Sequence, residues 1–176
     1  MKMTFAEAVK SGFKNYSNFK GTATRTEFWY FYLFNVLLNI VTYTVDLVID
    51  PSTANSATGG PLYLISNIAL ILPNLTVAVR RFHDAGFSGK WMFLWAIPII
   101  AFFIGGGAMA ANSPALDPET VTNEQLLAIA VPLLPSLLLF LVVGVFQLII
   151  NLKATKTAEQ GNKHATPSLT ETSVSE

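Results

Sequence analysis

Apolar residues are gathered into four long runs that polar segments separate. The runs cover about residues 28–49, 62–79, 91–109 and 126–152. A helix needs roughly 18 to 20 apolar residues to cross the hydrocarbon core of a bilayer, and every run approaches or exceeds that length. The pattern therefore predicts an all-α membrane protein built as a bundle of four transmembrane helices.

The segment before the first run predicts a short amphipathic helix over residues 4–16. Thr4 and Glu7 have the spacing of a capping box, which marks the start of a helix. Apolar positions then recur at helical spacing, at Phe5, Ala8, Val9, Phe13 and Tyr16. Two compatible interpretations follow. The helix lies on the membrane surface with its lysines near lipid phosphates, or it packs on the rest of the protein.

Residues 1–152 are predicted to form a single membrane domain, and residues 153–176 are predicted to form a tail. The tail is polar and rich in Ser and Thr. Such a composition cannot bury enough apolar surface to offset the entropy cost of folding. We therefore expect a disordered tail.

The distribution of basic residues predicts the orientation. Lys and Arg number five before the first run, three between the second and third, and three after the fourth. The two remaining loops contain neither residue. Because cytoplasmic segments carry the excess of Lys and Arg, both termini and the loop of residues 80–90 are expected in the cytoplasm.

Composition excludes several classes of function. The formal net charge is zero, so no global field attracts nucleic acid, and we expect no nucleic-acid partner. The absence of cysteine excludes disulfides, thiolate metal sites and a cysteine nucleophile. No nucleotide-binding glycine loop is present, and His83 lacks the further ligands that a metal site needs. We expect neither a metal nor another cofactor.

Polar residues inside the apolar runs form stripes at helical spacing. The first run carries Asn35, Asn39, Thr42 and Asp46, the second carries Asn67, Asn74 and Arg81, and the fourth carries Gln147. The favoured interpretation is hydrogen bonding between helices. The alternative is a polar path, which would make the protein a small transporter or channel. Asp46 lies near the outer interface, where its carboxylate is expected to reach water.

The most distinctive stretch is the turn of residues 80–91, RRFHDAGFSGKW. It crowds charged side chains that share one membrane level with the start of the first run; the whole set is Arg25, Glu27, Arg80, Arg81, His83, Asp84 and Lys90. Guanidinium groups bind phosphate and carboxylate in bidentate fashion. The favoured interpretation is a topological anchor with internal pairs such as Arg81–Asp84 or Arg25–Glu27.

Three other interpretations of this charged set stay open. It is a site for a phospholipid headgroup or another phosphate, a docking surface for a partner protein, or, with the least weight, a catalytic pair of His83 and Asp84. We expect no enzymatic activity, because no nucleophile motif accompanies that pair.

Several motifs resemble one known family. They are residues 4–9 (TFAEAV), 15–16 (NY), 19–21 (FKG), 24–29 (TRTEFW), 72–73 (LP), 77–81 (VAVRR), 83–84 (HD), Gly86, 88–89 (SG) and Trp91. This combination resembles the small bacterial inner-membrane proteins grouped as domain of unknown function 805. The family often closes with a glycine–asparagine–aromatic–glycine–proline segment, of which Gly161, Asn162 and Pro167 match a part. The resemblance implies an inner-membrane location and brings no established activity.

The hypothesis from the sequence is an accessory protein of the inner membrane that contacts the lipid bilayer. Its charged turn would bind an anionic group, above all a phospholipid headgroup. The alternatives are the transporter or channel and a membrane docking module. A homodimer or another membrane protein is the partner that these alternatives suggest.

Overall fold

A computed structural model describes residues 3–56, 58–112 and 130–165, together with 122, 124 and 127; for 108–112 it describes the backbone alone. The long stretches of this part form the α-helices α1 (Phe5–Lys14), α2 (Arg25–Ile49), α3 (Pro61–Asp84), α4 (Ala96–Asn112) and α5 (Leu134–Leu152). Short 3-10 helices cover Pro51–Asn55, Gly89–Trp95 and Val131–Leu133. The described residues contain no strand, so the all-α prediction is confirmed.

Among the described residues, four helical segments are long and apolar enough to cross a membrane: Arg25–Ile49, Pro61–Asp84, Gly89–Gly107 and Val131–Leu152. They confirm the four predicted runs. The second segment continues to Asp84, beyond the predicted end at residue 79, because its terminal charges find partners within the protein. The predicted start of the fourth run, residue 126, lies outside the described residues.

The chain divides into two compact units, Met1–Gly89 with Asn151–Glu176, and Lys90–Ile150. Within the second unit, aromatic rings supply much of the packing. Trp95 and Phe102 each meet the ring of Phe140, at centroid distances of 5.8 and 6.5 Å. Gly105 lies so close to Pro132 that a Cβ would stand 2.4 Å from its carbonyl oxygen. The assignment of residues 1–152 to one domain stays a prediction.

Helix α1 packs on α2 through its smallest residues. Ala8 is fully buried, and a Cβ on Gly12 would lie 2.3 Å from the ring of Phe31. The predicted capping box is present, with Thr4 and Glu7 each accepting the other's backbone N–H. Helix α1 therefore packs on the rest of the protein. Its contact with the membrane surface stays a prediction.

The polar stripes of α2 and α3 face each other. The side chain of Asn67 donates to Asn39 at 2.8 Å, and that of Asn74 donates to Asn35 at 2.9 Å. This is the arrangement that the hydrogen-bonding interpretation of the stripes predicts, since polar groups in a membrane interior need partners.

Asp46 does not reach water as expected. It is 3% exposed, and its two carboxylate oxygens accept the backbone N–H groups of Leu62, at 3.1 Å, and Tyr63, at 2.7 Å. These donors belong to the first turn of α3, whose N-cap residue Gly60 has no side chain to satisfy them. Asp46 of α2 therefore takes over the capping of α3. Gly60 permits the approach, because a Cβ there would lie 2.3 Å from the Asp46 side chain.

Candidate functional site

Apart from Lys90, which belongs to the second unit, the charged set predicted from the sequence lies at the end of the first unit where α2 begins and α3 ends, which we call the basic end. It contains residues 20–27, 80–89 and 151–165. Helix α3 stops here because Gly86 adopts a positive φ of 82°, a conformation that glycine takes without steric cost. Two ion pairs join the buried members of the charged set, one between Arg80 and Glu27 and one between Arg81 and Asp84. Each pair is the centre of its own hydrogen-bond network.

The first network is centred on Arg80, which is 6% exposed. Its Nη2 donates to Glu27 Oε1 at 3.0 Å and to the carbonyl of Thr22 at 3.2 Å. Glu27 also accepts from the hydroxyl of Ser11 at 2.8 Å. The partner of Glu27 is thus Arg80, whereas the pair Arg25–Glu27 was expected. Residues two apart on a helix do not face each other, and Arg25 is exposed.

The second network is centred on Arg81, whose side chain has 0% exposure. It forms an ion pair with Asp84, the pair that the sequence suggested. It also donates to the carbonyls of Asn151, from Nε at 3.3 Å and Nη2 at 3.1 Å, and of Lys153. Carbonyls at a helix C-terminus have no intrahelical donor. Arg81 therefore caps the end of α5 and fixes the start of the tail.

Residues 153–165 fold back on the end of α3, so the prediction of a tail disordered from Lys153 onward is wrong for them. The side chain of Asn162, 4% exposed, donates to the carbonyls of His83 at 2.8 Å and Lys156 at 2.9 Å. The backbone N–H of Lys156 donates to the carbonyl of Asp84 at 2.9 Å. Composition missed this because polar backbone groups, and not apolar burial, hold the segment. Residues 166–176, with Pro167, lie outside the described part.

The two histidines of the chain meet at the basic end. The rings of His83 and His164 stack at a centroid distance of 3.9 Å. His83 Nδ1 lies 3.2 Å from the carbonyl of Gly21, while the carboxylate of Asp84 accepts from Arg81 and from the hydroxyl of Thr155, at 2.8 Å for the latter. His83 and Asp84 therefore serve different partners, which is not the geometry of an acid–base pair.

A cavity of about 370 Å³ opens beside the turn at Gly86. The residues that line it include Lys153, Lys156 and Gln160. The ammonium of Lys153 lies 4.8 Å from the ring centroid of Phe87. The stem of Lys156 covers Gly86, where a Cβ would lie 2.8 Å from its Cδ. Two cations thus flank one concave surface made by the turn and the tail.

Sequence reasoning missed the two lysines of this cavity. They lie in the segment that its composition predicts to be disordered, where they contribute only to the predicted orientation. The signal that could have found them is the match of Gly161 and Asn162 to the family's closing segment, since Asn162 holds the tail in place. Of the predicted set, Arg25 and Lys90 are exposed, and Arg80 and Arg81 are buried.

Gln147, the predicted polar residue of the fourth run, belongs to the second unit. Gln147 of α5 is buried, and its amide nitrogen has no acceptor among the described residues.

The part of the chain that the structure describes holds no group of three or more His, Asp or Glu residues that could bind a metal ion.

Comparisons with known proteins agree with this architecture. A family model described as "Protein of unknown function (DUF805)" matches residues 16–166. The inner membrane protein YhaI of Escherichia coli K12 is 33% identical over 116 residues, which cover 62% of this chain and 93% of the relative. The inner membrane protein YhaH of the same strain is 36% identical over 91 residues, covering 52% and 74%. No solved structure matches. This chain, whose described residues include four segments long and apolar enough to cross a membrane, therefore belongs to the DUF805 family of inner-membrane proteins of unknown function.

Proposed function

We propose that the protein is an accessory protein of the inner membrane whose basic end faces the cytoplasm and binds the headgroup of an anionic phospholipid. The observation that carries the proposal is the cavity at Gly86, which Lys153 and Lys156 flank. A phosphate bound there would lie beside two lysine residues, and charge-assisted contacts between ammonium and phosphate are among the stronger hydrogen bonds.

In this proposal the arginines build the site and the lysines contact the ligand. The guanidinium of Arg81 is fully buried and engaged with Asp84 and two backbone carbonyls. Arg80 is paired with Glu27, and its remaining Nη1 is buried without an acceptor among the described residues. Neither group is placed for a headgroup to reach. Lysine, a mobile point charge on a flexible stem, suits a ligand that exchanges with the bilayer.

The surface around the cavity supports the same partner. Exposed basic side chains at the basic end are Lys20, Arg25, Lys153, Lys156 and Lys163. The cytoplasmic leaflet carries a negative surface potential, and each Lys or Arg near it contributes about 1 kcal/mol of attraction. An orientation with the basic end in the cytoplasm brings this surface to the anionic lipids.

The other interpretations have weaker support. A transporter or channel needs an open polar path, whereas the asparagines of α2 and α3 bond to one another. A protein docking module needs an accessible surface, and the tail offers one, but no feature of it selects a partner. An enzyme needs a base and a reacting group in contact, which His83 and Asp84 do not supply. We therefore propose a binding role without catalysis.

The test is native mass spectrometry of the protein released gently from its own membrane. The wild type should retain an anionic phospholipid, and a Lys153→Gln, Lys156→Gln variant should lose it. The matched control is Lys10→Gln, Lys14→Gln, which removes the same charge from exposed positions on α1 and should keep the lipid. Equal retention by the cavity variant, or no retention by the wild type, would overturn the proposal.

A further inference from the structure

A second cavity lies at the opposite end of α2 and α3, where α2 ends and α3 begins. Its volume is about 400 Å³, within the range of small-molecule sites. The two helices contribute four residues to its lining: Asn39, Ile40 and Tyr43 of α2, and Tyr63 of α3. The segment between the helices contributes Ser56, Thr58 and Gly59. Nothing in the lining is charged, so this cavity has a different chemistry from the basic end.

The lining combines aromatic surface with unused hydrogen-bond donors. The rings of Tyr43 and Tyr63 meet edge to face at 6.0 Å. Asn39 accepts from Asn67 through Oδ1, which leaves its amide N–H groups as donors. Among the described residues, no acceptor is found for these groups or for the two tyrosine hydroxyls. Donors that lack an acceptor select a ligand with oxygen acceptors.

The cavity lining includes residues well inside a segment that is long and apolar enough to cross a membrane. Asn39 lies ten residues before the end of α2, which corresponds to about 15 Å along the helix. Ile40, its neighbour in the lining, is 58% exposed. In a spanning helix such an apolar side chain faces lipid. A ligand can therefore enter from the bilayer, which requires that it be uncharged and lipid-soluble.

We propose that this cavity binds an uncharged, lipid-soluble ring compound that carries carbonyl acceptors, the chemistry of a quinone. The ring would lie against Tyr43 and Tyr63, and its carbonyls would accept from Asn39 and the tyrosine hydroxyls. The ester carbonyl of an ordinary lipid shares the acceptor chemistry. It lies nearer the membrane surface than Asn39 does, and it has no ring to place against the tyrosines.

The test uses the full-length protein in nanodiscs of ether-linked phosphatidylcholine, which has no ester carbonyl to compete. Decylubiquinone is titrated, and the amount bound above that of empty nanodiscs is measured by native mass spectrometry. The wild type should bind one molecule saturably. A Tyr43→Phe, Tyr63→Phe variant keeps both rings and loses both donors, so its affinity should fall about tenfold. Tyr30→Phe, Tyr32→Phe, at the other end of α2, is the matched control and should bind as the wild type does.

Two outcomes of this titration would overturn the proposal. One is binding by the wild type that never saturates or equals that of empty nanodiscs. The other is equal affinity in the Tyr43, Tyr63 variant and the wild type. A repeat in ester-linked lipid separates the two sources of carbonyl: loss of quinone binding there would assign the cavity to the lipid ester, contrary to the proposal.

Discussion

The ion pair between Arg81 and Asp84 is buried on both sides, with 0% and 2% of the two side chains exposed. The same guanidinium holds the carbonyls of Asn151 and Lys153, so one side chain joins the end of α3 to the start of the tail. Removing one partner of a buried pair leaves an uncompensated charge, which costs about 3–5 kcal/mol.

We therefore expect Arg81→Ala to lower the free energy of unfolding by about that amount and to release residues 153–165. Release should be visible as faster tryptic cleavage after Lys153 and Lys156 under native conditions. Arg25→Ala, at an exposed arginine of the same end, is the control and should leave both quantities unchanged. Unaltered cleavage of the Arg81 variant would contradict the capping role.

The hydroxyl of Tyr16 donates to the carbonyl of Ala69 at 2.9 Å. That carbonyl has no helical donor, because the residue four positions later is Pro73, which lacks an N–H. We expect Tyr16→Phe to destabilise the protein by about 1 kcal/mol. In a Pro73→Ala background the same change should cost much less, since the backbone N–H restored at position 73 would donate to the carbonyl of Ala69. A double-mutant cycle of unfolding in mixed micelles measures this coupling, and additive effects would contradict it.

The carboxylate of Asp46 caps α3 from the neighbouring helix. Asp46→Ala should destabilise the protein by about 1–2 kcal/mol, as the loss of an N-cap does. Asp46→Asn keeps one acceptor oxygen and should cost less. Asp50→Ala, which changes a nearby exposed carboxylate, is the control for local charge. Amide hydrogen exchange over the first turn of α3 reports the loss directly, and unchanged exchange in Asp46→Ala would count against the cap.

The chain contains no cysteine, which provides a clean background for testing orientation. Ser52→Cys lies between α2 and α3, and Glu159→Cys lies in the tail; both positions are exposed. A membrane-impermeant maleimide added to intact spheroplasts should label the first and spare the second. The reverse pattern would refute a cytoplasmic basic end.

Hydropathy and spacing predicted the spans, the α1 cap and the facing polar stripes, because these depend on the period of the helix and the thickness of a bilayer. The partner of Glu27 was mispredicted, although spacing alone disfavours Arg25. The cap by Asp46 depends on close approach to Gly60, which only the packed helices reveal. The folded tail depends on the Asn162 side chain meeting backbone carbonyls, and composition carries no information about such contacts.

The most direct measurement for the proposed function is photocrosslinking from inside the cavity at Gly86. A photoreactive amino acid replaces Gln160, which lines the cavity, or Lys163, an exposed control position in the same tail. The protein is reconstituted in phosphatidylethanolamine with a minor fraction of phosphatidylglycerol. The account predicts that position 160 captures phosphatidylglycerol well above its mole fraction, and that the Lys153→Gln, Lys156→Gln variant does not. Capture that follows bulk composition at both positions would contradict it.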